Sequence, residues 1–315
     1  MKYAIISDIH GNLPALRAVL QDAQAQGADT LLFAGDYYTN SPWPNEVIEL
    51  VQALGAGRTI AGNEEGHLPR LAAEDPAGWM DGQFSALYWS YNTITPENRA
   101  FLSSLPDTLD IADPCGDLHI AHASTAFIGD VEKETLYCDR IALAFADKTM
   151  TREALLIHAR AALADSEALP AHLDALADGV YIFGHTHVQW HARLGGKLLI
   201  NAGSCGLCLD GIPGAAYTLL EVDAAGWRVQ ERRVPYDLPG VLRDLKASPL
   251  YAQARVWSEV VMAELETGYG HVLLFLRFAE TYAQGIGDPV RPFTHATWAA
   301  AHAAWRDSLQ AGVSG

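Results

Sequence analysis

Seven side chains, each placed just beyond a short apolar run, could hold metal ions: Asp8 and His10, Asp36, Asn63, His122, and His185 with His187. Two carboxylates, one amide oxygen and four imidazoles form a mixed oxygen and nitrogen donor set. Such a set suits manganese, iron, zinc, nickel or cobalt better than calcium or magnesium. Seven donors exceed what one open catalytic ion takes, and match two ions sharing a carboxylate. Singly, each fragment has an ordinary reading. Asp-x-His recurs by chance, a Gly35-Asp36 pair is a common turn, Asn63 is a turn former, and a lone His122 reads as structural. Gly184-His185-Thr186-His187 is stronger, because two imidazoles two residues apart can flank one ion on extended chain. The order of all seven, each closing a strand pattern, carries the metal reading.

The elements that must position them alternate in type. Apolar runs at 3–7, 30–34 and, more weakly, 58–61 read as strands ending at Asp8, Gly35-Asp36 and Gly62-Asn63. Between them, 12–26 and 46–54 have helical spacing, with Asn12 as N-cap and Gly27 as a stop. This β-α-β-α-β rhythm predicts a mainly parallel central sheet, with side chains at the strand ends sharing one crevice. Strands are expected again at 118–121 before His122 and at 180–183 before His185. Runs at 197–201, 215–222 and 227–234 suggest a meander, antiparallel in part. Helices are expected at 152–163, 171–177, 251–265, 271–282 and 295–309. Trp257, Trp298 and Trp305 fall in the last three, where core packing is the expectation.

Composition limits the partners. The chain has 315 residues, with 21 Lys and Arg against 38 Asp and Glu, a net charge of −17. That sign repels phosphate backbones and disfavours nucleic acid as a partner. An anionic substrate then needs local positive charge, which a bound cation supplies. Four cysteines are too few for a disulfide framework. No run approaches the ~18 apolar residues of a membrane span, and the first residues lack a signal-peptide pattern. The expectation is a cytoplasmic protein with no membrane partner.

Taken in order, Asp8-Ile9-His10, Gly35-Asp36, Gly62-Asn63, His122 and Gly184-His185-Thr186-His187 resemble the signature of the calcineurin-like metallophosphoesterase superfamily. The turn from Asn201 to Gly206 is similar to one in its small bacterial and archaeal phosphodiesterase branch, which includes diadenosine-tetraphosphatase-like proteins. The resemblance spans about residues 1–235. Apart from the resemblance, the long connection 123–179 reads as a helical cap at the site mouth, as loops joining strands at a crevice often are, and residues 236–315 read as a helical extension. The resemblance implies an α/β (α+β) fold, a four-layer αββα sandwich. It implies a first metal held by Asp8, His10, Asp36 and His187. A second is held by Asp36, Asn63, His122 and His185, with Asp36 bridging. The implied activity is phosphoester hydrolysis by in-line attack of a bridging hydroxide, with Asp36, Asn63 and His122 at the catalytic centre.

One position departs from the pattern. Glu64 stands where the superfamily often has a histidine credited with protonating the leaving group. An ionised Glu is a poor acid, so Glu64 either points away or donates through a raised pKa. Glu65 matches an acidic residue expected to steady a histidine, and His67 could substitute for the missing one. Cys205 and Cys208 read as structural. His119 and His191 read as neighbours of the site or as solvent-facing, and His158, His172, His271, His295 and His302 as surface. The expected substrate is a small phosphorylated molecule such as a nucleotide, attacked at a diester, anhydride or activated monoester. A metal-dependent nuclease and a non-catalytic scaffold are the alternatives, and the C-terminal helices could support a homo-oligomer.

Overall fold

The computed structural model describes residues 1–76, 79, 82–137, 140, 141, 144, 145 and 150–313. Its centre is two stacked sheets. One has four strands in the order β2 (Thr30–Phe33), β1 (Lys2–Ile6), β8 (Ala215–Asp223), β9 (Gly226–Val234). The other has five, in the order β3 (Thr108–Ile111), β4 (Leu118–Ala121), β5 (Gly179–Phe183), β7 (Lys197–Asn201), β6 (Trp190–Leu194). β1 and β2 are parallel, as are β4, β5 and β7, and antiparallel strands flank each group.

Strand periodicity explains the layers. Successive side chains point to opposite faces. Tyr3 and Ile5 of β1 meet Val180 and Ile182 of β5 and Leu198 and Ile200 of β7 in the core between the sheets. Ala4 and Ile6 face outward, against Leu16 and Val19 of the helix Leu13–Ala25 and Val47 and Val51 of the helix Pro44–Leu54. On the other side, Tyr181 and Phe183 pack against Leu155, Ala159 and Leu163 of the helix Arg152–Asp165. The order is therefore helices, sheet, sheet, helices. Asn12 caps the first helix by accepting from the Ala15 N–H at 3.2 Å. It is thus fixed at the mouth of the loop that carries Asp8 and His10.

Three local expectations change. The stretch 58–61 is no strand: it meets β2 through one bridge, Thr59 to Phe33, with bonds to and from Phe33. It leaves at once because Ala61 N–H turns to Pro106 O. The runs 197–201 and 215–234 do not form one meander. β7 belongs to the five-stranded sheet, whereas β8 and β9 form a hairpin in the other. The chain crosses between sheets at 202–206, where Cys205 N–H donates to Ser7 O and Gly206 N–H to Asp8 O. β3 and β6 were missed because they are short edge strands with alternating exposed positions.

The extension holds five helices, Leu238–Ala247, Pro249–Gln253, Arg255–Thr267, His271–Ile286 and His295–Val313. Trp298 is its centre, 1% exposed and ringed by Phe275 at 4.6 Å and Phe293 at 5.6 Å between centroids. His302 is buried rather than on the surface, its ring 5.3 Å from that of Phe275. Among the described residues, no helix is long and apolar enough to cross a membrane. Cys205 and Cys208 are buried free thiols, Cys115 is exposed, and Cys138 lies outside the described residues. Trp298→Ala empties the middle of the extension. We expect a loss of about 3–5 kcal/mol, read as a lower midpoint in urea denaturation followed by circular dichroism.

Candidate metal centre

The loops after β1, β2, β4 and β5 meet at one end of the sandwich. They are lashed together by backbone bonds that no helix or strand uses. Asp8 N–H donates to Gly35 O at 3.0 Å, Ile9 N–H to Asp36 O at 2.8 Å, and Gly184 N–H to His122 O at 2.8 Å. Ser204 Oγ donates to Asp8 O at 2.7 Å, which ties the turn after β7 to the first loop. The backbone there is unusual. Asp8, His10, Asp36, His185 and His187 all have positive φ, between 50° and 71°. Left-handed backbone costs a side-chain-bearing residue about 1–2 kcal/mol. Strain at five such positions in one place marks a built site. Gly35, with φ of 98°, sits so close to His122 that a Cβ would lie 2.6 Å from its Nδ1.

Five of the seven sequence-derived side chains are buried: Asp8, His10, Asp36, His122 and His187. Their donor atoms form two overlapping groups, Asp8 with His10 and His187, and Asp8 with Asp36 and His122, each within 4.8 Å. The carboxylate common to both groups is Asp8. Asp36 also spans them, with Oδ2 3.2 Å from His122 Nε2 and 4.0 Å from His10 Nε2. Asn63 Oδ1 lies 3.0 Å from His122 Nε2 and 2.8 Å from His185 Nδ1. The cluster therefore gathers all seven residues.

Its chemistry suits cations. His122 Nδ1 faces Ala34 O at 2.7 Å and His187 Nδ1 faces Leu207 O at 2.6 Å, so the Nδ1–H of each donates there. Both Nε2 atoms then point inward, a pattern of metal-binding imidazoles. There His187 Nε2 meets His10 Nε2 at 3.1 Å and Asp8 Oδ1 at 3.2 Å. Each such contact sets lone pair against lone pair unless a proton or a cation lies between. Without a cation the imidazoles take the protons. Burial alone would strip His122, yet Asp36 and Asp8 outweigh it and push its pKa up to about 10. His187 is likewise raised against its burial, chiefly by Asp8. Burial and the charge on His187 push His10 down to about 4; burial and the charge on His122 do the same to His185. Although burial opposes their ionisation, the surrounding imidazoles hold Asp8 and Asp36 below the usual carboxylate range.

Neighbouring residues sort differently from expectation. Glu65 steadies backbone rather than a histidine, accepting from Gly62 N–H at 2.7 Å, Asp36 N–H at 2.9 Å and Tyr37 N–H at 3.0 Å. Glu64 does not point away: it lines the cavity with His10, Asp36, Asn63 and His185. Burial, then Asp36 and Glu65, push its carboxyl well above the usual range. His67 faces a separate cavity with Asn40, Glu64 and Phe84. His119 pairs with Asp110 at 2.7 Å and His191 with Glu231 at 2.7 Å, both away from the cluster.

Three contributors carry no sequence signal. Glu132, in the helix Val131–Leu136, is buried and accepts from Asn201 Nδ2 at 2.6 Å, Trp190 Nε1 at 2.7 Å and Thr186 Oγ1 at 3.1 Å. It thereby anchors the loop between His185 and His187, although its local sequence reads as a solvated face. Tyr137 stacks on His185, centroids 5.6 Å apart, and among the described residues it brings segment 123–179 to the cavity. The helices Thr125–Ile128, Arg152–Asp165 and Leu169–Ala175 of that segment contribute to the layer outside the five-stranded sheet. Trp257 does more than pack: its indole N–H donates to Asn40 Oδ1 at 2.8 Å, and Asn40 Nδ2 lies 3.3 Å from His10 Nδ1.

Comparison with known proteins agrees with this geometry. An uncharacterized protein of Methanocaldococcus jannaschii is 27% identical over 239 residues, 75% of this chain and 88% of its own. A metallophosphoesterase of Sphaerobacter thermophilus shares the fold, with a TM-score of 0.58 and 23% identity over 85% of this chain and all of that one. A hypothetical protein of Pyrococcus horikoshii OT3 superposes with a TM-score of 0.59 at 19% identity, covering 85% of this chain and 98% of its own. The family model of calcineurin-like phosphoesterases matches residues 1–189, which include all seven residues of the cluster. The chain is a member of the calcineurin-like phosphoesterase family, hydrolases that work with divalent metal ions.

Proposed function

We propose that the protein is a dinuclear metal-dependent phosphoesterase acting on small phosphorylated molecules, nucleotides among them. The observation that supports it most is the pair of overlapping donor groups joined at Asp8. Asp8, His10, Asp36 and His187 would hold one divalent transition ion, and Asp36, Asn63, His122 and His185 the other, with manganese, iron, zinc, nickel and cobalt all compatible. Bound there, two cations supply acidification of a shared water and neutralisation of phosphoryl charge.

The chain's own residues do the rest. Ala34 O and Leu207 O fix the tautomers of His122 and His187. Glu65 clamps the backbone of Asp36. Hydrolysis adds water across the P–O bond, oxygen to phosphorus and proton to the leaving oxygen. Glu64, which lines the cavity with its carboxyl raised well above the usual range, can supply that proton. A net charge of −17 speaks against a nuclease. Retention of every donor position speaks against a scaffold.

Two outcomes test this reading. Protons on His122 and His187 must leave when cations bind, so binding should release protons at pH 7, about one of them from His122, and tighten as pH rises. Calorimetry in buffers of different ionisation enthalpy measures this, and heats independent of the buffer would contradict it. Asp36→Asn should lower manganese-stimulated cleavage of bis-para-nitrophenyl phosphate by about 10²-fold or more.

A further inference from the structure

The cavity in front of the cluster has two unlike walls. One is the metal-binding face. The other is apolar: Leu207 and Leu209 from the turn after β7, and Trp257, Val272, Leu273 and Leu276 from the extension. Leu273 and Leu276 are one turn apart on the helix His271–Ile286, so they present a single stripe. The acidic residues on the cavity besides the cluster are Glu64 and Glu264. Among the described residues, no Lys or Arg lines it. Glu264 is buried on the helix Arg255–Thr267 and accepts from Val272 N–H at 2.8 Å, so it closes the apolar side with a polar group already engaged.

This combination selects among phosphate esters. Cationic side chains commonly supply countercharge to polyphosphates and dianionic monoesters where metals leave some of it uncompensated. Here further negative charge would meet leucines, an indole and two carboxyl groups. Desolvating it without a partner is costly. A phosphodiester carries one negative charge, which the metal face can meet alone. Its second substituent can then lie on the apolar wall and gain by leaving water. Size sets a limit. The cavity measures about 200 Å³ over both walls, and a dry protein cavity of about 150 Å³ holds benzene. Part of that volume goes to the phosphoryl group, so the apolar wall accommodates at most one aryl ring or about six carbons.

We infer that the C-terminal extension adds an apolar subsite to the metal site, which makes the preferred substrate a phosphodiester bearing one short hydrocarbon or single-ring substituent. This rests on the phosphoesterase reading above and specifies its substrate class.

The experiment uses the full-length, manganese-loaded protein and alkyl(methyl)phosphinates, each a monoanion with both substituents bound through carbon and so no ester to hydrolyse, from methyl to dodecyl, with methyl(phenyl)phosphinate alongside. Calorimetry should show affinity rising about three- to fourfold per methylene up to about six carbons, then levelling. The heat-capacity change should grow more negative along the same series, the mark of apolar burial. In mildly alkaline buffer, where phenylphosphonate is a dianion of similar size, it should bind more weakly than methyl(phenyl)phosphinate. In the Leu273→Ala, Leu276→Ala double variant the rise should flatten to under about twofold per carbon. A flat wild-type series overturns the inference, as does tighter binding of the dianion. Affinity that climbs through twelve carbons overturns it in favour of an open lipid groove. Absence of metal-stimulated hydrolysis of methyl para-nitrophenyl phosphate would remove the phosphoesterase reading itself. Turnover of that ester beside a flat binding series would remove only the apolar subsite.

Discussion

Buried lone pairs facing one another are the constraint around which this molecule is built. Asp8, Asp36 and the inward nitrogens of His10, His122 and His187 occupy one small buried volume. Left alone they repel, and burial denies them water. Something positive has to sit among them. Protons on His122 and His187 can do it, as their raised pKa values indicate, and divalent ions can do it better. The fold holds the donors together regardless, through the backbone bonds that lash the strand-end loops to one another.

That holding has a cost, visible in the backbone. Five of the donor residues lie in left-handed conformation, where only glycine is at ease. The surrounding layers over-determine these loops. Period-2 strands bury both faces of β1, β5 and β7, so the ends of those strands cannot slide. Glu132 from its helix and Asn201 from β7 brace the His185–His187 loop. Glu65 does the same for Asp36 with three backbone donors. Local strain and global stability are thus assigned to different parts of the chain.

Much of this was legible in the sequence, for identifiable reasons. β1, β2, β4, β5 and β7 are apolar runs that stop at a polar residue, so their ends, and the site, could be read directly. Strands β3 and β6 could not, because edge strands in half-exposed alternation resemble loops. The stretch 58–61 misled in the opposite sense, since a short apolar run says nothing of how many rungs it forms. Glu132 was hidden because a carboxylate on an amphipathic helix looks the same whether it faces water or three donors. The reach of Trp257 to Asn40 was hidden as well, since more than two hundred residues separate them. Glu65 was assigned to the right neighbourhood but to the wrong partner, which only the turn of the backbone reveals.

The contact between Trp257 and Asn40 also bears on the order in which the molecule is completed on the ribosome. The donors and both sheets that hold them have all been synthesised once Val234 emerges, twenty-three residues before that indole exists. A nascent chain at that stage carries a full donor set in an open bowl, its far wall still unmade. The last quarter of the polypeptide then governs what reaches the donors rather than how they are held.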